Sequence, residues 1–245
     1  MISSIFHNVL YEPFYNALVF LSGIVPGGDI GIAVIVLTII VRFILLPLTH
    51  KQLHTQKRLK LVEGELRDIK KKYETDKQEQ TRQMMELYKK HGINPLSGFL
   101  LILIQIPILL ALYFVFSRGL PFNPEDLYGF IKIPDVVNFK FLGILDLATK
   151  NYFMAALVGV SQYIQIRLSL PPAPKGGVEA GKGFGEELAK SMNTNMRYVM
   201  PVMIALISAS LPSVISLYWL ASNLFAIAHE LVVRRKALQL TNTKS

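Results

Sequence analysis

The chain has 245 residues, of which 51% are hydrophobic and 18% are charged, and it contains no cysteine. Soluble domains usually have about a quarter of their residues charged, so this composition, with its long apolar runs, favours a protein with several membrane spans. The missing cysteines exclude disulfides, thiolate metal sites and a cysteine nucleophile. The net charge of +9 favours contact with anionic lipid or ribosomal RNA, and we expect no specific DNA binding.

The first 29 residues predict an amphipathic helix that lies along the membrane surface. Glu12 and Pro13 interrupt the apolar run, while Phe14 and Leu18 lie on one helical face, as in an interfacial helix. A sixth membrane span is the alternative. The N-terminus lacks the basic region of a cleavable signal peptide, so we expect it to belong to the mature protein.

Five later segments are long and apolar enough to cross a hydrocarbon core of about 30 Å. Only Pro212 separates the last two, and proline breaks helices because it lacks an N–H. We therefore predict an all-α polytopic membrane protein with a five-helix transmembrane core, an N-terminal interfacial helix and a cytoplasmic helical hairpin. The predicted segments are the interfacial helix 1–29, the spans 30–49, 96–117, 152–170, 197–211 and 212–233, the hairpin 50–95, the extracytoplasmic loop 118–151, the cytoplasmic linker 171–196 and the basic tail 234–245.

The distribution of Lys and Arg predicts the orientation. Residues 51–95 carry twelve of them, the tail after Val233 carries four, and the first 29 residues carry none. Cytoplasmic loops are enriched in these residues. The pattern places the N-terminus outside and the C-terminus in the cytoplasm.

The hairpin segment 50–95 predicts two antiparallel helices, each about 30 Å long. Apolar residues recur at spacings of three and four from Leu59 through Val62 to Tyr73, which is an a/d seam. The seam resumes after a polar stretch, at Met84, Leu87 and His91. Two such helices share little buried surface, so we expect the hairpin to move relative to the membrane.

Catalytic and metal-binding patterns are incomplete. His229-Glu230 begins a zinc-binding H-E-x-x-H motif, but Val233 stands where the second histidine belongs. A glycine-rich stretch resembles a phosphate-binding loop, but Gly183 replaces the required Ser or Thr. We interpret the acids as loop residues apart from Glu12, which leaves no intramembrane carboxylate pair for acid–base chemistry. We therefore expect no enzyme, no catalytic residue, no metal site and no cofactor.

Arg42 lies inside the first predicted span, roughly 10 Å from its cytoplasmic end. A charge near the bilayer centre costs several kcal/mol, so the side chain either snorkels to the interface or occupies a hydrated cavity. Polar side chains on four spans favour the cavity, although each alone could be interhelical glue worth about 0.6 kcal/mol. Besides Arg42, the candidate cavity residues are Thr38, Gln105, Ser161, Gln162, Gln165, Ser216, Trp219 and Asn223. A lone arginine there would attract carboxylates or polar chain segments.

Five stretches, in this order, resemble motifs of the YidC/Oxa/Alb membrane protein insertases, and the resemblance covers nearly the whole chain. They are VRFILLPLT with the following KQ, MMELYKKHGINPLSG, LLILIQIPILLALYFVF, MPVMIALISASLPS and SLYWLASNL. The short N-terminus is similar to the Gram-positive form, which lacks the large extracytoplasmic domain. The family's PSGL reads Pro212-Ser213-Val214-Ile215 here, and Gln165 stands two residues before Arg167 rather than beside it.

The resemblance implies a groove in a bacterial plasma membrane, open to the cytoplasm and to lipid and lined by Arg42, Trp219 and either Gln165 or Gln162. A polar segment of a nascent membrane protein would enter the groove while the adjacent apolar segment moves into lipid. The ribosome, the Sec translocon and anionic lipids are the further implied partners. The basic hairpin residues expected to recruit the substrate are Lys57, Arg58, Lys70, Lys71, Lys72, Lys89 and Lys90.

Two other classes of function stay open. A transporter of small solutes or anions could use Arg42 as a binding charge, although the chain lacks the paired interrupted helices that mark transporters. A structural assembly factor could pack against other membrane subunits. Solute flux in liposomes would identify the first, and crosslinking to nascent chains would separate the second from an insertase.

Overall fold

The computed structural model describes residues 2–94, 97–118, 122–169 and 195–242. These residues are mostly helical, in agreement with the predicted all-α class. The helices are α1 (Ile2–Phe6), α2 (Glu12–Ile24), α3 (Ile30–Ile44), α4 (Leu46–Leu61), α5 (Glu63–Lys72), α6 (Lys77–Lys90), α7 (Ser97–Arg118), α8 (Tyr152–Ser169), α9 (Met200–Ser210) and α10 (Ser213–Asn242). Strands β1 (Lys140–Phe141) and β2 (Leu145–Asp146) form an antiparallel pair in the loop between α7 and α8.

The N-terminal helices α1 and α2 are joined by a π-helical turn, His7–Tyr11, so the chain stays helical through Glu12 and Pro13, the residues that interrupt the apolar run. The N–H of Glu12 bonds to the carbonyl of His7, five residues back. Pro13 then falls in the first turn of α2, where its missing N–H does least harm. One face of α2 is buried in the main core, and its position relative to a bilayer stays a prediction.

The first predicted span, 30–49, contains a helix break at Leu45. Pro47 explains it, because a proline cannot donate to the carbonyl four residues earlier and its ring clashes with that carbonyl. The chain resumes as α4 at Leu46, and α4 continues to Leu61. The first helix of the hairpin therefore begins inside the predicted span, at Leu46.

The hairpin is formed by α4, α5 and α6 and has a small core of its own. Val62, Leu87 and Ile93 are buried there. The predicted seam included Val62 and Leu87 but not Ile93. Val62 also separates α4 from α5, so the first arm is two helices rather than one. At 1.5 Å per residue, the second arm, α6, is about 21 Å long, shorter than the predicted length of about 30 Å.

The main hydrophobic core gathers buried side chains from α2, α3, α7, α8 and α10. Gly159 on α8 permits the close approach of α9, because a Cβ there would lie 2.9 Å from the Cβ of Ala205. Within the described ranges, Ser213–Arg235 is the one helix long and apolar enough to cross a membrane by length and composition. The helix Ile30–Ile44 and the Gln105–Ser117 part of α7 are shorter apolar segments.

The loop between α7 and α8 folds back onto the helix ends. Asn16 of α2 accepts a hydrogen bond from the N–H of Tyr128 at 2.7 Å and donates one to the carbonyl of Asp126 at 3.0 Å. Val214, which stands where the family pattern has glycine, is buried in the main core and donates its N–H to the carbonyl of Leu147 at 3.1 Å. The larger side chain is therefore accommodated at the turn after Pro212.

Candidate functional site

Arg42 lies in the last turn of α3 with its side chain partly buried. Its Nη2 donates a hydrogen bond to Oε1 of Gln105 on α7 at 3.4 Å. No carboxylate in the described part of the chain forms an ion pair with it. The guanidinium therefore has a neutral partner and keeps its positive charge uncompensated.

Gln105 connects Arg42 to a third helix. Its Nε2 donates to the hydroxyl of Tyr218 on α10 at 2.6 Å, and Tyr218 is only 3% exposed. The amide therefore has its oxygen toward a donor and its nitrogen toward an acceptor, which fixes its orientation. We call Arg42, Gln105 and Tyr218 the arginine network. Sequence reasoning missed Tyr218, although it stands next to Trp219 in the SLYWLASNL stretch.

Thr38 lies one turn before Arg42 but bonds within its own helix. Its Oγ1 donates to the carbonyl of Val34 at 2.6 Å, and the side chain is 2% exposed. A threonine hydroxyl satisfied by the preceding turn is common in helices. No described hydrogen bond joins Thr38 to Arg42.

Two predicted cavity residues of α10, Ser216 and Asn223, face away from the arginine network. Asn223 donates from Nδ2 to Oγ of Ser161 on α8 at 3.0 Å, and Ser216 shares a 2.7 Å hydrogen bond with Ser208 on α9. Ser216 and Asn223 are seven residues apart and share a helical face, whereas Tyr218 lies about 200° around the helix from Ser216. Ser216 and Asn223 therefore make contacts separate from those of Tyr218, rather than sharing one stripe with it.

Gln162, Gln165 and Trp219 also lie outside the arginine network. Gln162 donates from Nε2 to Oε1 of Gln165 at 3.1 Å, along one face of α8. Trp219 is partly buried and packs against the main core. None of the three has a described hydrogen bond to Arg42.

Glu230 lies buried in α10, so the interpretation that Glu12 is the one acid outside the loops is wrong. Its Oε1 accepts from Nε of Arg234 at 3.0 Å. Arg234 also donates to the carbonyl of Leu168 near the end of α8. The buried carboxylate is thus paired with Arg234, and Arg234 in turn joins α10 to α8.

The predicted basic residues of the hairpin occupy helix ends. Lys70, Lys71 and Lys72 fall in the last turn of α5, and Lys89 and Lys90 fall in the last turn of α6. Cations are favourable at helix C-termini, so these lysines also stabilise the helices that carry them. All are exposed except Lys70, which is partly buried.

Arg58 and Lys57 lie in α4, at the base of the hairpin. Arg58 is exposed and donates to the carbonyl of Gly92 at 3.4 Å. The side chain of Lys57 lies outside the described residues. The described lysines of α5 and α6 form two positive clusters at opposite ends of the pair.

A groove of about 420 Å³ lies between α8 and α9, away from the arginine network. Its walls are apolar and include Gly159, Val160, Pro201 and Ala205, with Tyr163 and Tyr198 also present. None of the predicted cavity residues lines it.

Comparison with known proteins identifies the family. The family model described as 60Kd inner membrane protein matches residues 20–240. The chain is 34% identical over 209 residues to the membrane protein insertase YidC of Fusobacterium nucleatum, covering 85% of this chain and 88% of that protein. It is 30% identical over 231 residues to the YidC of Clostridium tetani, covering 94% and 93%.

A third relative is the membrane protein insertase MisCA of Bacillus subtilis, which is 29% identical over 215 residues. That match covers 85% of this chain and 71% of MisCA. Together with the matched family model, these relatives confirm the resemblance carried by the sequence motifs. The chain is a bacterial membrane protein and belongs to the 60Kd inner membrane protein family, the YidC/Oxa/Alb proteins.

Proposed function

We propose that the protein is a membrane protein insertase, which places nascent integral membrane proteins in the bilayer and helps them to fold. The relatives that cover most of the chain carry this function in their names. The observation that carries the proposal is the partly buried guanidinium of Arg42, which bonds to the neutral Gln105 rather than to a described carboxylate.

An uncompensated charge in a partly buried site acts strongly on a substrate. Two opposite charges 4 Å apart interact with about 4 kcal/mol at an effective dielectric constant of 20, against about 1 kcal/mol in bulk water. A carboxylate of a nascent chain would therefore be drawn to Arg42 more strongly than to an exposed arginine. Tyr218 fixes the amide of Gln105, and Gln105 in turn orients the guanidinium. The charge is therefore positioned before the substrate binds.

The proposed site is a hydrated groove that opens to the cytoplasm and to lipid. In this arrangement α3, α7, α8, α9 and α10 form the transmembrane core, and the hairpin of α4, α5 and α6 lies in the cytoplasm. The N-terminus is outside and the C-terminus is in the cytoplasm. Thr38, Gln162, Gln165, Ser216, Trp219 and Asn223 bond or pack elsewhere, so the arginine network is the proposed centre of the groove.

The shortness of α9 supports a thinned bilayer around the core. The helix has 11 residues and directly follows the π-helical turn Asn195–Val199, so the continuous helical segment is at most about 24 Å long, against a hydrocarbon thickness of about 30 Å. Short spans are accommodated by local thinning of the bilayer, among other responses. A thinner bilayer shortens the distance that a polar segment must cross.

Insertion then proceeds without nucleotide hydrolysis by this chain. The basic hairpin recruits a chain leaving the ribosome, and the polar segment enters beside Arg42 while the apolar segment slides into lipid. Burial of the apolar segment supplies about 25 cal/mol per Å². The membrane potential adds about 2.3 kcal/mol per charge per 100 mV for acidic segments that move outward. The Sec translocon and anionic lipids are the proposed further partners.

Site-specific photocrosslinking to a ribosome-bound single-span protein tests this proposal. Probes at position 105, in the arginine network, and at the partly buried position 219, next to Tyr218, should capture the nascent chain as its polar segment enters. A probe at the exposed Phe130 in the extracytoplasmic loop is the control and should capture it only after insertion. Anion flux in liposomes without nascent-chain capture would instead assign a transporter.

A further inference from the structure

The turn between β1 and β2 presents an apolar tip to the surroundings. Leu142 is 62% exposed and Ile144 is 89% exposed. Single exposed apolar side chains are ordinary on protein surfaces. Here two of them project from one tight turn, and the chain between them is a glycine, Gly143, with φ +73.

The backbone of this tip is held in a conformation that its residues do not favour. Leu142 has φ +52, in the left-handed region that leucine rarely adopts. Its N–H donates to Oδ2 of Asp29 at 2.7 Å. The ring of Phe141 packs so tightly on Gly31 that a Cβ there would lie 2.3 Å from a ring carbon. The surrounding structure therefore fixes the tip, and strain retained in this way is a reason to look for a role.

The same contacts place the tip at the end of the first proposed span. Asp29 is the N-cap of α3, with Oδ1 accepting from the N–H groups of Gly31 at 2.7 Å and Ile32 at 3.2 Å. One carboxylate thus joins the extracytoplasmic end of α3 to the backbone of Leu142. The tip lies at the level where the apolar helix begins.

Exposed aromatic residues lie at the corresponding end of α8. Tyr152 is 75% exposed and Phe153 is 71% exposed in its first turn. Aromatic side chains are enriched at the boundary between headgroups and acyl chains. They indicate independently that lipid borders this end of the protein, close along the chain to β2.

We infer that residues 142–144 insert into the outer leaflet at the boundary between headgroups and acyl chains, and anchor the extracytoplasmic loop to lipid. We choose lipid as the partner because the tip is fixed beside the end of a proposed span. Lipid surrounds such an end, so no second protein is needed to cover the tip. Lys140 is exposed beside the tip, in position to reach the anionic headgroups. The inference depends on the proposed membrane orientation of α3 and goes beyond the proposed insertase activity.

Fluorescence from a single cysteine tests the anchor directly, because the chain has no native cysteine. Ile144→Cys in the full-length protein is labelled with the environment-sensitive dye NBD and reconstituted in liposomes of phosphatidylethanolamine and phosphatidylglycerol. The control is Ala148→Cys, an exposed position in the same loop. We expect blue-shifted emission at position 144, at least about threefold less iodide quenching than at 148, and quenching by lipids that carry a shallow nitroxide.

Aqueous emission and full iodide quenching at position 144 in these liposomes would overturn the inference. Shielding that occurs only in native membranes, and not in liposomes of the purified protein, would assign the tip to a protein partner and also overturn it. The insertase proposal is tested separately, by measuring the insertion activity of the unlabelled protein. Loss of the anchor with retained insertion therefore refutes this inference alone.

Discussion

Gln105 accepts a hydrogen bond from Arg42 at 3.4 Å and so joins α7 to the last turn of α3. The same amide donates to Tyr218 at 2.6 Å. A counter-ion for Arg42 could have stood at this position, but the residue there is neutral. A carboxylate there would neutralise Arg42 permanently. In the proposed mechanism, a neutral amide orients the guanidinium and leaves its charge available to a substrate.

Replacing Gln105 by Glu should therefore impair insertion selectively. The 3.4 Å contact would become an ion pair, and a substrate carboxylate would have to compete with it. We expect insertion of a single-span substrate with an acidic translocated tail to fall about tenfold, which corresponds to about 1.4 kcal/mol. Protease protection of the translocated tail in proteoliposomes measures the effect.

The control for this prediction is Gln105→Met, which removes the hydrogen bonds without adding a charge and keeps a similar volume. It should reduce insertion of acidic and neutral tails to a similar and smaller extent. Equal effects of Glu and Met on the acidic tail would show that the charge near Arg42 is irrelevant.

Tyr218→Phe should destabilise the core while leaving its packing volume almost unchanged. The Nε2 group of Gln105 would lose its acceptor in a buried site, and we expect a loss of about 1–2 kcal/mol in the free energy of unfolding. Denaturation in detergent micelles measures it. Tyr163→Phe, at a partly exposed position without a described hydrogen bond, is the matched control and should change stability by less than about 0.5 kcal/mol.

The contact between Asn223 and Ser161 should matter for stability but not for insertion. Single alanine variants and the double variant form a double-mutant cycle, and we expect a coupling of about 0.6 kcal/mol, the average for interhelical hydrogen bonds in membranes. Insertion of the acidic-tail substrate should stay within twofold of the unmodified protein, about 0.4 kcal/mol. A collapse of insertion in Asn223→Ala with unchanged stability would instead place the α8–α10 contact inside the substrate path.

Residue types and spacing predicted the seam positions Val62 and Leu87, and they singled out Arg42 and Gln105. They also separated the last two helices at Pro212. In each case the signal is local: a repeat along one helix, a proline, or a charge in an apolar run.

The remaining contacts depend on which neighbour each helical face meets, and a single helix does not contain that information. Ser216 and Asn223 share a face, but only the packing of α10 shows that this face meets α8 and α9 while Tyr218 meets Gln105. The β-turn at Leu142 was equally hidden, because a leucine with positive φ contradicts local preference and is held by the distant Asp29.

Removing residues 63–90 and joining the ends by a short Gly/Ser linker should impair insertion without unfolding the transmembrane core. The hairpin has its own cluster of buried residues, centred on Val62, Leu87 and Ile93, which is separate from the main core. Thermal unfolding of the remaining helices should be nearly unchanged, while co-sedimentation with ribosomes should fall.

A variant that changes only the charge of the hairpin shows whether its lysines, rather than its length, recruit the ribosome. Replacing Lys71, Lys72, Lys89 and Lys90 by Gln should reduce ribosome co-sedimentation, and the difference from the unmodified hairpin should shrink as salt screens the charges. Replacing Lys132, Lys140 and Lys150 by Gln is the control, because in the proposed orientation the loop between α7 and α8 lies on the opposite side of the membrane. If both sets weaken ribosome binding equally, the hairpin has no specific recruiting role.

The charge of Arg42 is tested most directly by measuring insertion of one single-span substrate, with an acidic or a neutral translocated tail, by the Arg42→Lys and Arg42→Ala variants. The account predicts that Lys retains most of the insertion of the acidic tail, that Ala loses about tenfold or more, and that the neutral tail distinguishes the two variants far less. The account would be contradicted if the Arg42→Ala variant folds normally and inserts both substrates as efficiently as the unmodified protein.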